Sequence, residues 1–493
     1  MLLTGAVILI FLTLSAAIFR RFNVPMIILA LAVGIFFGSD VTGIIYFDDA
    51  LLTRRLADIA LVFVLFAGGY SIKRAELKPV LAPTMMLATL GVLITMIVTA
   101  LVFHLVSGWS FMQSILVATV ISSTDAAAVF SILRNRSLQR RPSSITEIES
   151  AANDPMAIIS TTLIVQIAAG GGLAASGGFA GSGGIQVGRI VLTFIWQLSG
   201  GVGIGLAIGW LGLQLFRKIK EVETGYYYLL LIGLILASYG AADLVGASGM
   251  LSAFFAGFLM GNSKLPLKSS ISSFTATLSF VANAGLFILL GLLMFPRSLG
   301  AVWSQGLLIF IILSFIARPV AVFLCTLGMK LPFGEKIFLS WSGIRGSVPI
   351  VLATYPAAAG LDPDHQIFNI IFLAVTLSIL VQGTTIGKLA DLLKLSEREK
   401  PKNKQKMELV TVHDTKYELV ELFIDGDIYK GESSVASLEL PADATITMIS
   451  RKDRIIAPRG NTILRPSDIL TILVEEERIS EVTNLVLSHF EKL

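Results

Sequence analysis

Runs of about twenty apolar residues, parted by short charged clusters, fill the first 394 positions of this chain, and that is the length a helix needs to cross a bilayer. The runs lie at 3–19, 24–46, 56–72, 80–106, 111–133, 149–169, 187–216, 225–244, 247–262, 273–295, 301–328, 335–357 and 366–394. Of the 493 residues, 54% are hydrophobic and 15% charged, against roughly 25% charged in soluble domains. Nearly half of the charges fall after Leu395. The expected fold class is a polytopic α-helical membrane protein with about 13 transmembrane helices and a small α+β cytoplasmic C-terminal domain. The expected domains are 1–394 in the membrane, a charged linker over 395–406, and 407–493 outside it.

Loop charges set an orientation. Odd-numbered runs end at Arg20-Arg21, at Lys73, Arg74 and Lys78, and at Arg134, Arg136, Arg140 and Arg141. Later ones end at Arg217, Lys218 and Lys220, at Lys264 and Lys268, and at Lys330 and Lys336. The opposite loops hold Arg54, Arg55, Arg189 and Arg297. The positive-inside rule then predicts the N-terminus outside and the tail in the cytoplasm, in a cell (inner or plasma) membrane. The net charge of +4 reflects this topology and points to no nucleic acid. The first run lacks a basic leader and is read as a retained helix. Cys325, the one cysteine, sits in an apolar run as a packing residue. The Gly/Ser/Ala-rich segment 169–184 reads as a spacer on the outer side.

Two apolar runs are interrupted by polar residues. One carries Ser122-Ser123-Thr124-Asp125, the other Glu149-Ser150-Ala151-Ala152-Asn153-Asp154-Pro155. A carboxylate at the bilayer centre costs about 2.5–3.5 kcal/mol on insertion scales, so such groups usually face a cavity and act there. Asp154 can release a proton and then accept a desolvated monovalent cation, and one site for which both compete is enough for exchange. The bland alternative is a carboxylate neutralised by a buried partner. Pro155 predicts a locally opened helix with freed carbonyls. Ser150 lies one turn before Asp154 on the same face, as an oxygen ligand or a helix-packing hydroxyl. Asn153 is neutral, which leaves one titrating acid at the centre, hence one proton per cation and no net charge moved.

Glu149 need not share that face. Arg318, in Phe315-Ile316-Ala317-Arg318-Pro319, is the strong cation of its run, and pairing it with Glu149 satisfies both charges as a structural brace. Thr124-Asp125 and Gly343-Ile344-Arg345-Gly346-Ser347-Val348-Pro349 read as breaks in two helices. Paired breaks of this kind predict two crossing discontinuous helices in inverted repeats, with Asp125 and Arg345 compensating the half-helix dipoles. His104 and His365 read as interfacial residues, with pH sensing as the alternative. No nucleophile–base set or metal-ligand cluster suggests an enzyme.

After Met407, β-rich runs appear at 407–413, 417–424, 444–450, 454–458 and 468–474, followed by a helix-like stretch at 477–490. The tail holds no P-loop and no GxGxxG.

Ser123-Thr124-Asp125, Glu149-Ser150 with Asn153-Asp154, Arg318-Pro319 and Gly343-Ile344-Arg345-Gly346 together resemble the monovalent cation/proton antiporters of NhaP type, over about residues 1–394. The resemblance implies thirteen helices, a homodimer, and a core that moves against a dimerisation domain. It implies that Asp154 binds cation or proton, helped by Ser150 and by the backbone and side chain around Thr124. Asn153 and Asp125 would hold the crossing helices, with Glu149–Arg318 as a structural pair. The Asn-Asp pair resembles the electroneutral members. Some relatives carry an acid in the third helix just before a Gly-Gly pair; here that place is Ala67 in Leu65-Phe66-Ala67-Gly68-Gly69.

The tail resembles the C-terminal subdomain of RCK/TrkA-type regulators at Lys430-Gly431, Leu440-Pro441, Ile449-Ser450-Arg451, Ile455-Ile456-Ala457-Pro458-Arg459-Gly460-Asn461 and Pro466-Ser467-Asp468. That implies a dimerising, ligand-binding module, with cyclic di-AMP or another nucleotide in a cleft using Ile449, Arg451, Ile456 and Pro458. No resident cofactor is implied. The combined expectation is electroneutral potassium/proton exchange across the bilayer, controlled by the tail. The alternatives are sodium/proton exchange or, in another class, a tail-gated potassium channel, for which no Thr-Val-Gly-Tyr-Gly-like filter is present.

Overall fold

The computed structural model describes residues 2–19, 26–133, 137–169, 186–219, 223–397, 417–424, 433–451, 454–475 and 478–492. Arg20-Arg21, Arg134, Arg136, Lys220, most of the 169–184 spacer, the linker from 398, the run 407–413 and Lys430-Gly431 lie outside the described residues. The chain divides into two compact units, 1–397 and 398–493.

The first unit is helical. Its helices are α1 Leu2–Phe19, α2 Met26–Phe37, α3 Ala50–Ser71, α4 Arg74–Ser107, α5 Phe111–Val120, α6 Ala126–Ile132, α7 Arg140–Ala168 and α8 Gln186–Lys218. They continue with α9 Thr224–Leu244, α10 Gly249–Gly261, α11 Lys268–Leu292, α12 Pro296–Cys325, α13 Phe333–Trp341, α14 Ser347–Ala358 and α15 Gln366–Leu392. Every apolar run of the sequence holds helix, and the fifth and twelfth do so as two pieces each, α5/α6 and α13/α14. Among the described residues, α4, α8, α9, α11, α12 and α15 are each long and apolar enough to cross a membrane.

One expectation needs correcting. α7 begins at Arg140 rather than near 149, and it passes through Pro155 without a break. The polar stretch therefore sits inside a long helix. What Pro155 removes is a single bond, because it has no N–H to return to the Ala151 carbonyl.

The helices sort into two bundles by packing. α1–α3 and α8–α11 form one, and α4–α7 with α12–α15 form the other. We call them the scaffold and the core. Glycines set the scaffold's spacing. A Cβ on Gly257 would run into the Phe66 backbone, and one on Gly69 into that of Phe254, so α3 and α10 touch main chain to main chain. Gly34 and Gly291 do the same for α2 and α11, and Gly205 seats α8 against Ser252. Close backbone approach through small residues is how membrane helices gain packing when lipid tails are as apolar as leucine.

Only Ile72 and Lys73 separate α3 of the scaffold from α4 of the core. Asn262, at the C-terminal end of α10, clamps this corner. Its Nδ2 donates to the Ile72 carbonyl at 2.7 Å and its Oδ1 accepts from the Arg74 N–H at 2.7 Å. A short pairing of β1 (Ser137–Leu138) with β2 (Ser396–Glu397) ties the start of α7 to the end of the unit.

The second unit is a four-stranded antiparallel sheet of β3 Tyr417–Phe423, β4 Thr445–Arg451, β5 Arg454–Ile456 and β6 Asp468–Glu475, in the order β3-β6-β4-β5. Helix α16, Ile479–Lys492, follows it. Ile446, Ile449, Leu470, Ile472, Val474, Val482 and Val486 share its core.

Candidate functional site

Two non-helical stretches cross where the interrupted helices break. The first is the stretch after α5, Ile121–Asp125; the second is Ser342–Gly346, after α13. Asp125 N–H donates to the Ile344 carbonyl at 2.7 Å and makes the joint. Four half-helix ends meet here, each with unpaired backbone groups and a partial charge.

Arg345 answers the carbonyl end of α5. Its Nη1 donates to the carbonyls of Ser122 and Ser123, both at 2.6 Å, and it is buried. Ser378 and Gln382 hold it from α15: the Ser378 hydroxyl accepts from Arg345 N–H at 3.1 Å and in turn bonds Gln382 Oε1. Asp125 answers the amide ends. Its Oδ1 accepts from Ala128 N–H at 3.2 Å, capping α6, and its carboxylate lies against Gly346, just ahead of α14.

α7 crosses beside this joint and stitches it. The Ser150 hydroxyl donates to the Thr124 carbonyl at 2.9 Å and accepts from Ala126 N–H at 2.8 Å. Asn153 Nδ2 donates to Thr124 Oγ1 at 2.6 Å, while its Oδ1 accepts from Thr124 N–H at 3.4 Å. Thr124, Asp125, Ser150 and Asn153 thus form one network around the break. Asp154 does not join it: its Oδ1 is buried and has no hydrogen-bond partner among the described residues.

Asp154 instead lines a cavity of about 430 Å³ together with Thr124, Asp125, Ser150 and Ser347 of the core. Leu65, Gly68 and Ser71 of α3 and Phe280 and Asn283 of α11 form the scaffold wall. The α3 wall carries no acid beside Gly68-Gly69, consistent with Ala67 in the sequence. Glu147 lines the same cavity, a residue that the pattern of apolar runs does not single out because it falls just ahead of one.

Glu149 faces away from the cavity. Arg318 grips it through two bonds, Nη1 to Oε1 at 2.6 Å and Nη2 to Oε2 at 2.8 Å, and Nη2 also reaches the Leu339 carbonyl at 3.3 Å. Both side chains are buried. The guanidinium lies against Gly343, where a Cβ would come within 2.7 Å of Nε. The pair therefore braces α7 against α12 at the edge of the second break.

His104 Nδ1 bonds the Trp109 carbonyl at 2.6 Å, and His365 Nε2 is 3.1 Å from Asp48, both away from Asp154's cavity. In the second unit, Arg451 is committed internally. Its Nε and Nη2 bond the two oxygens of fully buried Asp468 at 2.8 Å each, and Nη2 also donates to the Ile463 carbonyl. Ile449 and Ile456 face each other across β4 and β5, and Ile449 is fully buried. Pro458 follows β5, half-buried.

Comparison with known proteins bears on this arrangement. Residues 7–391 match the family described as "Sodium/hydrogen exchanger, transmembrane", and residues 425–487 match the TrkA-C domain. The K(+)/H(+) antiporter NhaP2 of Shewanella sp. (strain ANA-3) is 33% identical over 98% of this chain and 82% of its own length. The K(+)/H(+) antiporter NhaP of Alkalimonas amylolytica is 30% identical over 96% of this chain and 81% of its own. In fold, the chain is similar to the sodium proton antiporter MjNhaP1 from Methanocaldococcus jannaschii at pH 8, with a TM-score of 0.67 at 24% identity, over 79% of this chain and 97% of that one.

Proposed function

This chain belongs to the sodium/hydrogen exchanger family, and from that premise we propose that it exports potassium in exchange for protons, with Asp154 as the group that carries both. It is a monovalent cation/proton antiporter, a transporter rather than an enzyme, with a TrkA-C regulatory domain. One observation carries the assignment of the site. Around the break the side chains of Thr124, Asp125, Ser150, Asn153 and Arg345 are committed to the backbone or to one another, whereas Asp154 Oδ1, on the cavity wall, and the neighbouring Ser123 Oγ have no hydrogen-bond partner among the described residues. An unpaired carboxylate in the membrane is costly and is usually a working group.

Thr124 and Ser150 supply oxygens beside it, and Ala151, whose carbonyl Pro155 leaves without its helical donor, lines the same cavity. Asn153 is neutral and bonded to Thr124, so one acid trades one proton for one cation and no net charge crosses. Asp125 and Arg345 hold the joint, and Glu149–Arg318 braces it. Potassium is favoured by the TrkA-C tail and by the relatives named as potassium/proton antiporters. Sodium is the second reading, since the cavity residues do not encode ion size and MjNhaP1, a sodium proton antiporter, shares the fold.

The topology that goes with this reading has thirteen crossings, the N-terminus outside, the tail in the cytoplasm and a homodimer. The tail would sense cyclic di-AMP or another nucleotide. Because Arg451 is tied to Asp468, such a ligand would meet Ile456 and Pro458 rather than a free guanidinium.

The test is proton flux in proteoliposomes with potassium or sodium added, wild type against Asp154→Asn. Potassium-driven flux lost in the variant supports both the ion and the site. Sodium-only flux moves the ion assignment and leaves the site standing. Unchanged exchange in the variant removes Asp154 as the carrier.

A further inference from the structure

The two bundles leave a cavity beside Asp154 and pack against each other elsewhere. Their most extensive contact is between α3 of the scaffold and the second half of α14, Thr354–Ala358. Tyr355 is its centre. The tyrosine is buried, its hydroxyl donates to Asp58 Oδ1, and the guanidinium of Arg54 lies 4.1 Å from the centre of its ring. Arg54 and Asp58 are one turn apart on α3 and 3.9 Å from each other. A core side chain is thus held between two charged groups of the scaffold, by a charge-assisted hydrogen bond on one side and a cation–π contact on the other.

A second cavity, of about 590 Å³, opens at this contact. Arg54, Asp58 and Tyr355 line it, with Asp243 of α9 and with Ile158 and Thr162 of α7. Ile158 is one helical turn beyond Asp154. The cavity that Asp154 lines is walled by the C-terminal part of α3 (Ser71) and the N-terminal part of α7 (Glu147), and the second by the opposite ends of both helices. Asp154 therefore lies open to one cavity and is kept from the other by a short stretch that includes Ile158 and Tyr355.

We propose that Arg54, Asp58 and Tyr355 form a latch between scaffold and core that holds Asp154 on its present side and must release for the site to reach the other. The three are positioning residues: they touch no transported ion and act by favouring one of two arrangements of the bundles. A contact made in one state and absent in the other biases the equilibrium by its own differential energy. Losing one hydrogen bond to a charged group is worth about a tenfold change in that equilibrium. This inference rests on the reading of Asp154's cavity as the transport route.

The test uses sidedness, which a merely structural role would not move. Cys325, the one cysteine of the chain, is replaced as Cys325→Ser, and Ala151→Cys places a reporter on Asp154's cavity wall. A membrane-impermeant maleimide is then applied to the full-length protein in right-side-out and in inverted vesicles, without cation gradients. Tyr355→Phe keeps the ring under Arg54 and removes only the hydroxyl; Asp58→Ala removes the acceptor from the other side. We expect either change to shift the ratio of labelling rates from the two faces by about tenfold toward the Asp58 face. An unchanged ratio in both variants overturns the latch, as does an equal rise from both faces, which reports loosened packing instead. Failure of the transport reading would show separately, as cation-driven flux that persists in Asp154→Asn.

Discussion

The carboxylate of Asp125 occupies the space that a side chain on Gly346 would need. A Cβ there would overlap Asp125 Cβ, Cγ and Oδ2 together, so the conflict cannot be relieved by moving one flexible tip. Glycine at 346 is what lets a charged N-cap of one broken helix press on the start of another.

Gly346→Ala should therefore part the joint. Overpacking a dense site costs about 1–3 kcal/mol, and here the strain falls on the Asp125 N–H to Ile344 bond and on the cap of α6. The expected result is a lowered melting temperature in detergent and loss of most exchange in proteoliposomes. Full activity in the alanine variant would show that the crossing tolerates displacement.

Removing one member of the Glu149–Arg318 pair leaves the other buried and charged. Arg318→Ala or Glu149→Gln should destabilise the protein by about 3–5 kcal/mol, and the double neutral variant should lose less than the sum of the two. Thermal unfolding of the four proteins closes the cycle. Strictly additive losses would mean the charges act independently.

Asn153 makes two bonds to Thr124 across the break. Asn153→Ala should cost about 1–3 kcal/mol for the Thr124 groups it strands and slow exchange while leaving its electroneutrality intact. The readouts are melting temperature and potassium-driven flux with and without an imposed membrane potential. A flux that becomes potential-dependent would show that Asn153 helps to hold the one-for-one exchange.

If one carboxylate serves both ions, they compete. Raising the proton concentration tenfold on the side facing Asp154 should raise the half-saturating potassium concentration, up to about tenfold where the proton holds the site. The sign is fixed: acid weakens cation binding and alkali restores it. Half-saturation that ignores pH while the maximal rate changes would argue for separate sites.

In the tail, Arg451→Ala strands a fully buried aspartate. With Asp468 left to the Arg465 N–H at 2.9 Å, the domain should lose about 3 kcal/mol and become sensitive to protease within the full-length chain. Resistance equal to wild type would show that water replaces the guanidinium without penalty.

Much of this is legible in the sequence, for a physical reason. A charge in an apolar run is conspicuous, so Asp125 and Arg345 mark the breaks, Glu149 and Arg318 the brace, and Asp154 the cavity wall. Strand alternation likewise places β3, β4 and β6 within a residue or two. Three things stay hidden. Pro155 promises an opening, yet flanking turns of α7 carry the helix through and only the Ala151 carbonyl loses its donor. β1 and β2 are two residues each, too short to leave a pattern. Arg54, Asp58 and Tyr355 are each unexceptional where they stand, and nothing local joins an aspartate near the start of α3 to a tyrosine almost three hundred positions later.

The Asn262 clamp has a mechanical consequence. A two-residue connection spans at most about 7 Å, and here both of its flanking groups, the Ile72 carbonyl and the Arg74 amide, are bonded to the scaffold. The near end of α4 is thereby held to the scaffold. A second short connection, Leu293–Phe295 between α11 and α12, is held in the same way, with the Arg297 N–H donating to Asp40 at 3.1 Å, so any displacement of the core would be smallest at these two corners. The Tyr355 contact lies at the opposite end of α3 from the Asn262 corner, so α3 is fastened to the core at both of its ends.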